Sequence, residues 1–213
     1  VLTALHRNTC IVSGGPGTGK TTVLKTFLDM YIKLYGHGKG ILLCAPTGRA
    51  ARRMAEATGY EAFTIHRAFM LGSDGDNLST QKKDYDLVIV DEFSMSDQWV
   101  RTAMLSMIRK DAKLVFVGDA DQLPSVGPGS VLHEIIASAG IPVVHLKKVF
   151  RQASGSSIAE NARRIASSVT KLVYDDDFIF LPANNQEQAM GYVCQLYERA
   201  VQSLGADQVQ ILT

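Results

Sequence analysis

The feature that most constrains the fold of this chain is a glycine-rich stretch, GGPGTGKTT, which runs from Gly14 to Thr22. It matches the phosphate-loop pattern Gly-x4-Gly-Lys-[Ser/Thr]. A short apolar run at 10–13 precedes it, and a helical pattern follows, with apolar residues at 23, 24, 27 and 28. Strand, loop and helix stand in the order that this motif requires, and the order predicts an α/β fold.

Each residue type in this stretch meets a need of triphosphate binding. The glycines let backbone N–H groups turn inward around an anion, and the start of the helix adds its positive dipole end. Lys20 can reach the β- and γ-phosphates, and the Thr21 hydroxyl can ligate Mg²⁺. The alternative is a glycine-rich turn without a ligand, which the agreement of motif and context disfavours. The predicted nucleotide contacts are Gly15, Pro16, Gly17, Thr18, Gly19, Lys20, Thr21 and Thr22.

Composition excludes little. The 213 residues carry a net charge of +1, so charge argues neither for nor against a nucleic-acid partner. No apolar run approaches the length of a membrane span, and no signal peptide is visible, so we expect no membrane partner. The cysteines Cys10, Cys44 and Cys194 are predicted to be buried free thiols in a reducing, cytoplasmic compartment. The missing initial Met suggests an excised piece or an unseen start.

Short apolar runs alternate with helical patterns along the chain. This alternation is typical of an α/β fold with a mostly parallel sheet, in which ligands bind beyond the carboxyl ends of the strands. The polar segment 71–86 is predicted to be a loop or small hairpin. Further strands are predicted at 40–45, 87–90, 113–117, 143–146 and 209–212, and helices near 48–58, 97–109, 129–139, 156–168 and 187–204.

Two adjacent carboxylates, Asp91 and Glu92, follow the apolar strand at 87–90. Asp91 is placed to hold the Mg²⁺ shell, as the second acidic element of phosphate-loop enzymes does. Glu92 can orient and deprotonate an attacking water, and strand alternation should point it away from Asp91. The alternative is an Asp-Glu pair that simply ends a strand.

A third segment, 118–129, follows the strand at 113–117 and reads GDADQLPSVGPG. Gln122 carries an amide donor and an acceptor, so it can sense a terminal phosphate or its attacking water. The proline and glycine residues suit a defined surface loop. Standing alone, the segment is slightly more typical of a structural turn.

Together these segments resemble a known family, the RecD-like branch of superfamily 1 DNA helicases, which includes the α subunit of exodeoxyribonuclease V and its stand-alone relatives. The resemblance extends from about Cys10 to Thr213, and the Pro-Thr-Gly-Arg-Ala-Ala form points to the RecD-like branch. The motifs occur in family order: GGPGTGKTT at 14–22, APTGRAA at 45–51, TIHR at 64–67, DEFSM at 91–95, GDADQLP at 118–124 and FRQ at 150–152.

The resemblance implies roles for residues that the sequence alone would not single out. It implies that Arg151 touches the γ-phosphate and stabilises transition-state charge, and that Gln122 couples the phosphate state to the grip on DNA. Catalysis would then involve Lys20, Glu92, Gln122 and Arg151. The resemblance also implies contacts to single-stranded DNA from Pro46, Thr47, Arg49, Thr64 and His66.

The residues themselves support part of this. Thr47 follows a strand and can cap a helix whose N-terminus suits a DNA phosphate. Arg49, Arg52 and Arg53 lie within one helical turn and form either a basic patch or an ordinary solvated face. Alone, His66 would more often be a packed or surface imidazole, and Arg151 a surface salt-bridge partner. Trp99 can stack a base, but core packing is the more common use.

The resemblance further implies a RecA-like P-loop NTPase domain that spans 1–213 as the first motor domain of a larger helicase. The family's adenine-reading glutamine and second motor domain have no counterpart in the sequence. The implied function is ATP- and Mg²⁺-dependent translocation on single-stranded DNA, 5′→3′, in DNA repair or recombination, alone or with other subunits of a helicase–nuclease complex. Two alternatives stay open, a phosphate-loop ATPase or kinase acting on a small substrate, and a nucleotide-binding module without catalysis.

Overall fold

The computed structural model describes residues 1–36, 40–72, 83–148 and 156–212. The chain divides into two compact units, Val1–Ala153 and Ser154–Thr213. The first unit contains the phosphate loop and all the described sheet strands, and the second is helical with irregular segments.

Among the described residues of the first unit, six strands form one sheet in which every neighbouring pair is parallel. Their order across the sheet is β3-β2-β4-β5-β1-β6. The predicted α/β class with a parallel sheet is therefore confirmed. The strands are β1 (Thr9–Gly14), β2 (Ile41–Ala45), β3 (Ala62–Thr64), β4 (Leu87–Val90), β5 (Lys113–Gly118) and β6 (Val143–Leu146).

Helices connect the strands and cover both faces of the sheet. Several begin at side chains that accept a hydrogen bond from the first helical turn, as helix caps do: Thr47 accepts from Ala50 N, and Asp97 accepts from Val100 N. The helices of this unit are α1 (Leu2–His6), α2 (Lys20–Tyr35), α3 (Gly48–Thr58), α4 (Ile65–Phe69), α5 (Gln98–Met107) and α6 (Val131–Ala137), with a 3₁₀ turn at Phe93–Met95.

The central strands are buried on both faces, which explains why they read as continuous apolar runs. Alternate residues of β1 enter different cores. Ile11 packs with residues from α4, α5 and α6, whereas Cys10 and Val12 pack with residues from α1, α2 and α3. The sheet therefore lies between two helical layers, with α2 and α3 in the same layer.

The strand register sets which loops are neighbours at the carboxyl edge of the sheet. Ser13 at the end of β1 pairs with Gly118 of β5, so the phosphate loop and the loop after β5 begin side by side. Cys44 of β2 pairs with Val90 of β4, and Ala45 pairs with Thr64 of β3. The described segments that are predicted to bind nucleotide and DNA thus leave the same edge.

The second unit contains α7 (Ser157–Ala166), α8 (Gln186–Leu204) and a 3₁₀ turn at Ala206–Gln208. The side chain of Asn161 fixes the chain near Val173, because its Nδ2 donates to the Val173 carbonyl at 2.6 Å and its Oδ1 accepts from Val173 N at 2.8 Å. The strand predicted at 209–212 is wrong, since this segment pairs with no strand in the described part of the chain.

Other expectations meet mixed outcomes. Cys10 and Cys44 are buried free thiols as predicted, but Cys194 is exposed, because α8 buries none of its residues. Residues 73–82 of the predicted loop or hairpin at 71–86 lie outside the described residues. Lys83 forms an isolated bridge with Ile108. Among the described helices, none has the length and apolar character needed to cross a bilayer.

Candidate nucleotide site and adjoining groove

The phosphate loop connects β1 to α2 through two glycines in the left-handed region. Gly17 has a φ of 73° and Gly19 a φ of 83°, which side chains other than glycine rarely adopt. At Gly14 the limit is space, since an added Cβ would lie 2.6 Å from Thr18 Oγ1 and 2.9 Å from Leu146 Cβ. The glycines of the motif therefore serve the loop's own shape at these positions.

Side chains of the motif fold back onto the loop. The buried Thr18 donates from Oγ1 to the Gly15 carbonyl at 2.8 Å. Lys20 donates from Nζ to the carbonyls of Gly14 and Gly15 at 2.6 and 3.3 Å. Thr21 and Thr22 are exposed in the first turn of α2, and Pro16 is exposed in the loop. The Lys20 ammonium is thus held over the loop where a phosphate anion would be cradled.

Asp91 and Glu92 follow β4 at the same edge. Asp91 N donates to the Cys44 carbonyl at 2.9 Å, and Glu92 N donates to Asp91 Oδ1 at 2.9 Å. Glu92 has a φ of 49° and a ψ of 38°, an uncommon left-handed conformation for a residue other than glycine. The strand already ends at Val90, so backbone geometry at Glu92, and not strand alternation, sets its direction.

The carboxylates of Asp91 and Glu92 lie in an environment that disfavours their charge. Burial raises the pKa of Asp91, and the Glu92 N–H and the Lys20 ammonium oppose that rise. Burial also raises the pKa of Glu92, with the charges of Asp91 and Asp119 adding to the rise, while Lys20 and Arg53 oppose it. Glu92 Oε2 is buried without a hydrogen-bond partner among the described residues. An unpaired acceptor of this kind suits a group that takes a proton.

Asp119 is a site residue that sequence reasoning missed. It is 3% exposed at the end of β5, and its Oδ2 lies 3.9 Å from the position of a Cβ on Gly15. Its Oδ1 accepts from Asp121 N at 3.1 Å. The sequence carried a signal for it, since Asp119 directly follows a strand, as Asp91 does. What it lacked was the order of the strands, which places β5 directly beside β1.

The residues present suit a magnesium ion only if the nucleotide completes its coordination. In the described residues, no group of three or more His, Cys, Asp and Glu side chains could hold a metal. The predicted pair, the Thr21 hydroxyl and the Asp91 carboxylate, supplies two oxygen ligands, and Mg²⁺ commonly takes its remaining ligands from substrate phosphates and water. Hard oxygen donors of this kind fit Mg²⁺.

A groove of about 850 Å³ opens in the first unit beside this edge. It brings together four of the predicted site residues, Pro46, Thr47, His66 and Gln122, from three separate segments of the chain. The other lining residues are Gly72, the segments 95–97 and 99–100, and the loop 123–127. Gln122 is exposed and faces this groove, so the structure groups it with the predicted DNA contacts.

The two predicted DNA-contact threonines cap helices, and the prediction of Thr47 as an N-cap is confirmed. Thr47 Oγ1 accepts from Ala50 N at 3.2 Å at the start of α3, and Thr64 Oγ1 accepts from Arg67 N at 3.2 Å at the start of α4. Thr64 is half-buried and does not line the groove, and Arg49 is exposed in the first turn of α3.

Exposed apolar side chains line the groove, and of these the sequence analysis considered only Trp99, for which it favoured core packing over base stacking. Trp99 is 39% exposed, so the expectation that it packs in the core is wrong. Met95, Leu123 and Val126 are exposed as well, and all three line the groove. The helical position of Trp99 was readable from the sequence, but its exposure depends on how the loop after β5 packs. Arg151 lies outside the described residues, so its predicted role stays a prediction.

Comparison with known proteins agrees with this architecture. The family model described as "AAA domain" matches residues 1–178. The ATP-dependent RecD2 DNA helicase of Deinococcus radiodurans is 40% identical over 153 residues, covering 71% of this chain and 21% of that protein. The RecBCD enzyme subunit RecD of Mycolicibacterium smegmatis is 35% identical over 163 residues, covering 64% of this chain and 29% of that protein. The chain therefore spans under a third of the length of these relatives.

Solved structures share the fold. Pif1 of Bacteroides bound to single-stranded DNA has a TM-score of 0.57 and 23% identity, with 80% of this chain and 45% of that chain covered. A Pif1 helicase structure concerned with unwinding at forked double-stranded DNA gives a TM-score of 0.58 and 22% identity, covering 78% of this chain and 46% of that chain. The expected RecA-like P-loop fold and the resemblance to RecD-like helicases are confirmed. The chain belongs to the AAA domain family, and its relatives there include RecD-type helicases.

Proposed function

We propose that this chain is the first motor domain of an ATP-dependent DNA helicase, and that it couples ATP hydrolysis to movement along single-stranded DNA. One observation carries the proposal. The phosphate loop, the Asp91–Glu92 pair and the groove that Pro46, Thr47 and Gln122 line all lie at one edge of one sheet. A nucleotide site and a strand-binding surface so close together can exchange free energy through the loops they share.

On the nucleotide side, the backbone N–H groups of the phosphate loop, which Pro16 lacks, bind the phosphates, and Lys20 turns from the loop carbonyls to the β- and γ-phosphates. Thr21 and Asp91 would hold a magnesium ion, which neutralises charge on the phosphate oxygens. Glu92 orients the attacking water and accepts its proton at the unpaired Oε2 atom. Gln122 reports the state of the γ-phosphate to the groove, and Arg151 stabilises transition-state charge.

On the DNA side, Pro46, Thr47, Arg49, Thr64 and His66 contact the strand. The start of α3, which Thr47 caps, offers its N–H groups and Arg49 to DNA phosphates. The proposal also includes translocation 5′→3′ and a role in repair or recombination, as the resemblance to RecD-like helicases implies. Assembly with helicase–nuclease subunits is supported by the likeness to a subunit of the RecBCD enzyme. The proposal includes a second motor domain outside this chain, which completes the nucleotide site.

The test is ATPase turnover of the full-length protein with and without single-stranded DNA. We expect the strand to stimulate turnover. Glu92→Gln should lower kcat by roughly 10²- to 10⁴-fold while ATP still binds, because the amide cannot accept the proton. Glu61→Gln, at an exposed residue of the same unit, is the matched control and should leave kcat unchanged. Full turnover of the Glu92→Gln protein would remove Glu92 as the base.

The same assay separates the alternatives. An ATPase or kinase that acts on a small substrate would hydrolyse ATP without a response to single-stranded DNA, and a binding module would bind ATP without turnover. The isolated 213-residue chain should bind nucleotide weakly and hydrolyse it poorly, since transition-state charge lacks its partner arginine. Vigorous DNA-stimulated turnover by the isolated chain would contradict this account of an incomplete site.

A further inference from the structure

Four large apolar side chains, Met95, Trp99, Leu123 and Val126, are exposed along the groove of the first unit and form what we term the apolar wall. Leu123 is 86% exposed, and Val126 is fully exposed. Single exposed apolar residues are ordinary, but several that line one concave surface mark a binding site. None of the four belongs to the residues assigned above to phosphate or DNA contacts.

The rest of the groove lining has a different chemistry. Thr47 and His66 bring polar side chains from the segments that follow β2 and β3, and Arg49, which does not line the groove, lies in the exposed first turn of α3 near Thr47. One groove thus has a polar part, with Arg49 beside it, and an apolar part that contains an aromatic ring. A single nucleic-acid strand has the same two characters, a charged phosphate backbone and flat apolar base faces.

We propose that the apolar wall is where the bases of single-stranded DNA stack, with Trp99 as the stacking ring, while the polar part of the groove holds the phosphates. The proposal deepens the proposed function and rests on it. It also predicts a preference for single-stranded over double-stranded DNA. Every base has a π-face, so stacking tolerates any sequence, but stacking on the wall requires unpaired bases. A duplex, whose bases already stack on each other, cannot use the wall.

The wall is built from two segments that also serve the nucleotide site. Met95 and Trp99 follow the Asp91–Glu92 pair directly, whereas Leu123 and Val126 follow Gln122. The segments are packed together, because Gln98 N donates to the Pro128 carbonyl at 3.0 Å and Gly127 lies against Asp97. A shift of either segment therefore changes the shape of the apolar wall. Base stacking on the wall is in this way coupled to whether nucleotide is bound.

Trp99 is the only tryptophan of the chain, so its fluorescence reports on the wall. In the full-length protein, its signal is the difference between wild type and Trp99→Phe. We expect a thymidine oligonucleotide to quench this signal. An oligonucleotide of abasic sites with the same number of phosphates should bind more weakly and leave it unquenched.

Affinity gives a second readout. Trp99→Ala should weaken binding of the thymidine oligonucleotide by about tenfold and leave binding of the abasic strand unchanged, whereas Trp99→Phe should retain most of the affinity. The matched control is Leu105→Ala, since Leu105 is 40% exposed on α5 but does not line the groove. It should change neither affinity. Unchanged ATP binding shows that each variant is folded.

Three results would overturn the proposal. Thymidine binding without quenching, together with full affinity of Trp99→Ala, would show that bases do not reach the wall, and the proposed helicase function would survive. Equal quenching by the abasic strand would assign the wall to phosphate contacts. Quenching that depends on protein concentration without DNA would show a second copy covering the wall. Failure of the full-length protein to bind any single strand would instead reject the proposed function itself.

Discussion

Gly127 lies so close to Asp97 that a Cβ atom on the glycine would be 2.3 Å from Asp97 Oδ2 and 2.8 Å from its Cβ. The aspartate cannot easily move away, because its Oδ1 accepts from Val100 N at 2.8 Å and caps α5. Ser125 fixes the other side of the loop by donating from Oγ to the carbonyls of Gly127 and Gly129. The loop after Gln122 and the start of α5 therefore fit together only with glycine at this position.

Gly127→Ala should separate the loop from α5. We expect a loss of about 1–3 kcal/mol in the free energy of unfolding, as overpacking at a tight contact typically costs. In the full-length protein, stimulation of ATPase activity by single-stranded DNA should fall more than ATP binding does, since the phosphate loop is left untouched. Urea unfolding followed by Trp99 fluorescence measures the first effect, and turnover assays measure the second.

Gly48→Ala is the matched control, because a Cβ at Gly48, the first residue of α3, has no atom within 4 Å. It should keep or slightly raise stability, as alanine is a better helix residue than glycine. Equal stability losses in the two variants would show that the contact between Gly127 and Asp97 does not constrain the loop.

The first two phosphate-loop glycines, Gly14 and Gly15, should also differ in how much stability an alanine substitution costs. A Cβ on Gly14 would meet Thr18 Oγ1 at 2.6 Å and Leu146 Cβ at 2.9 Å, whereas on Gly15 its nearest neighbour would be Asp119 Oδ2 at 3.9 Å. Gly14→Ala should therefore lose about 1–3 kcal/mol of stability, and Gly15→Ala almost none. Denaturant unfolding of both variants measures this difference. A stable Gly14→Ala protein would mean that β1 and β6 can move apart at this point.

The sequence predicted the phosphate loop well because its signals are local. Strand, glycines, lysine and helix follow one another within 10–35, and each depends on near neighbours. Asp119 was missed, and Trp99 was expected in the core, because their positions depend on contacts between distant segments, namely the pairing of β1 with β5 and the packing of loop 122–129 on α5. No periodicity in one segment carries that information.

The strand prediction at 209–212 failed for a similar reason, because strand formation also depends on a distant partner segment. An apolar run can form a strand only where another strand offers hydrogen bonds, and propensity does not show whether one does. The elements β3 and α4 were missed because they are short. Three and five residues are too few to show a period, although the Thr64 cap was readable from its residue type.

Thr47 allows the helix cap to be tested apart from the DNA contact. Thr47→Ala removes the oxygen that accepts from Ala50 N and should cost about 1 kcal/mol of stability, whereas Thr47→Ser keeps the hydroxyl and the stability. Affinity for single-stranded DNA should fall in Thr47→Ala and persist in Thr47→Ser, as measured by fluorescence anisotropy. Loss of affinity in Thr47→Ser as well would assign the contact to the threonine methyl group and not to the cap.

The three cysteines give a test of the sheet core through pH. Burial raises the pKa of the Cys10 thiol, against the opposing charge of Lys113, and burial also raises the pKa of Cys44. At any pH below such a raised pKa, the thiolate fraction is smaller than for an ordinary thiol, and the thiolate is the reactive form. Cys194 is exposed on α8, where a reagent can reach its sulfur.

A thiol reagent should therefore modify only Cys194 in the native protein, both at neutral pH and as the pH rises towards the ordinary thiol pKa of about 8.5. All three cysteines of the chain should react in denaturant. Mass spectrometry of the modified peptides identifies the site, and Cys194→Ser should abolish native labelling. Native labelling of Cys44, whose Sγ lies 3.6 Å from the Ile89 carbonyl between β2 and β4, would show that the centre of the sheet opens, and would contradict a core closed on both faces.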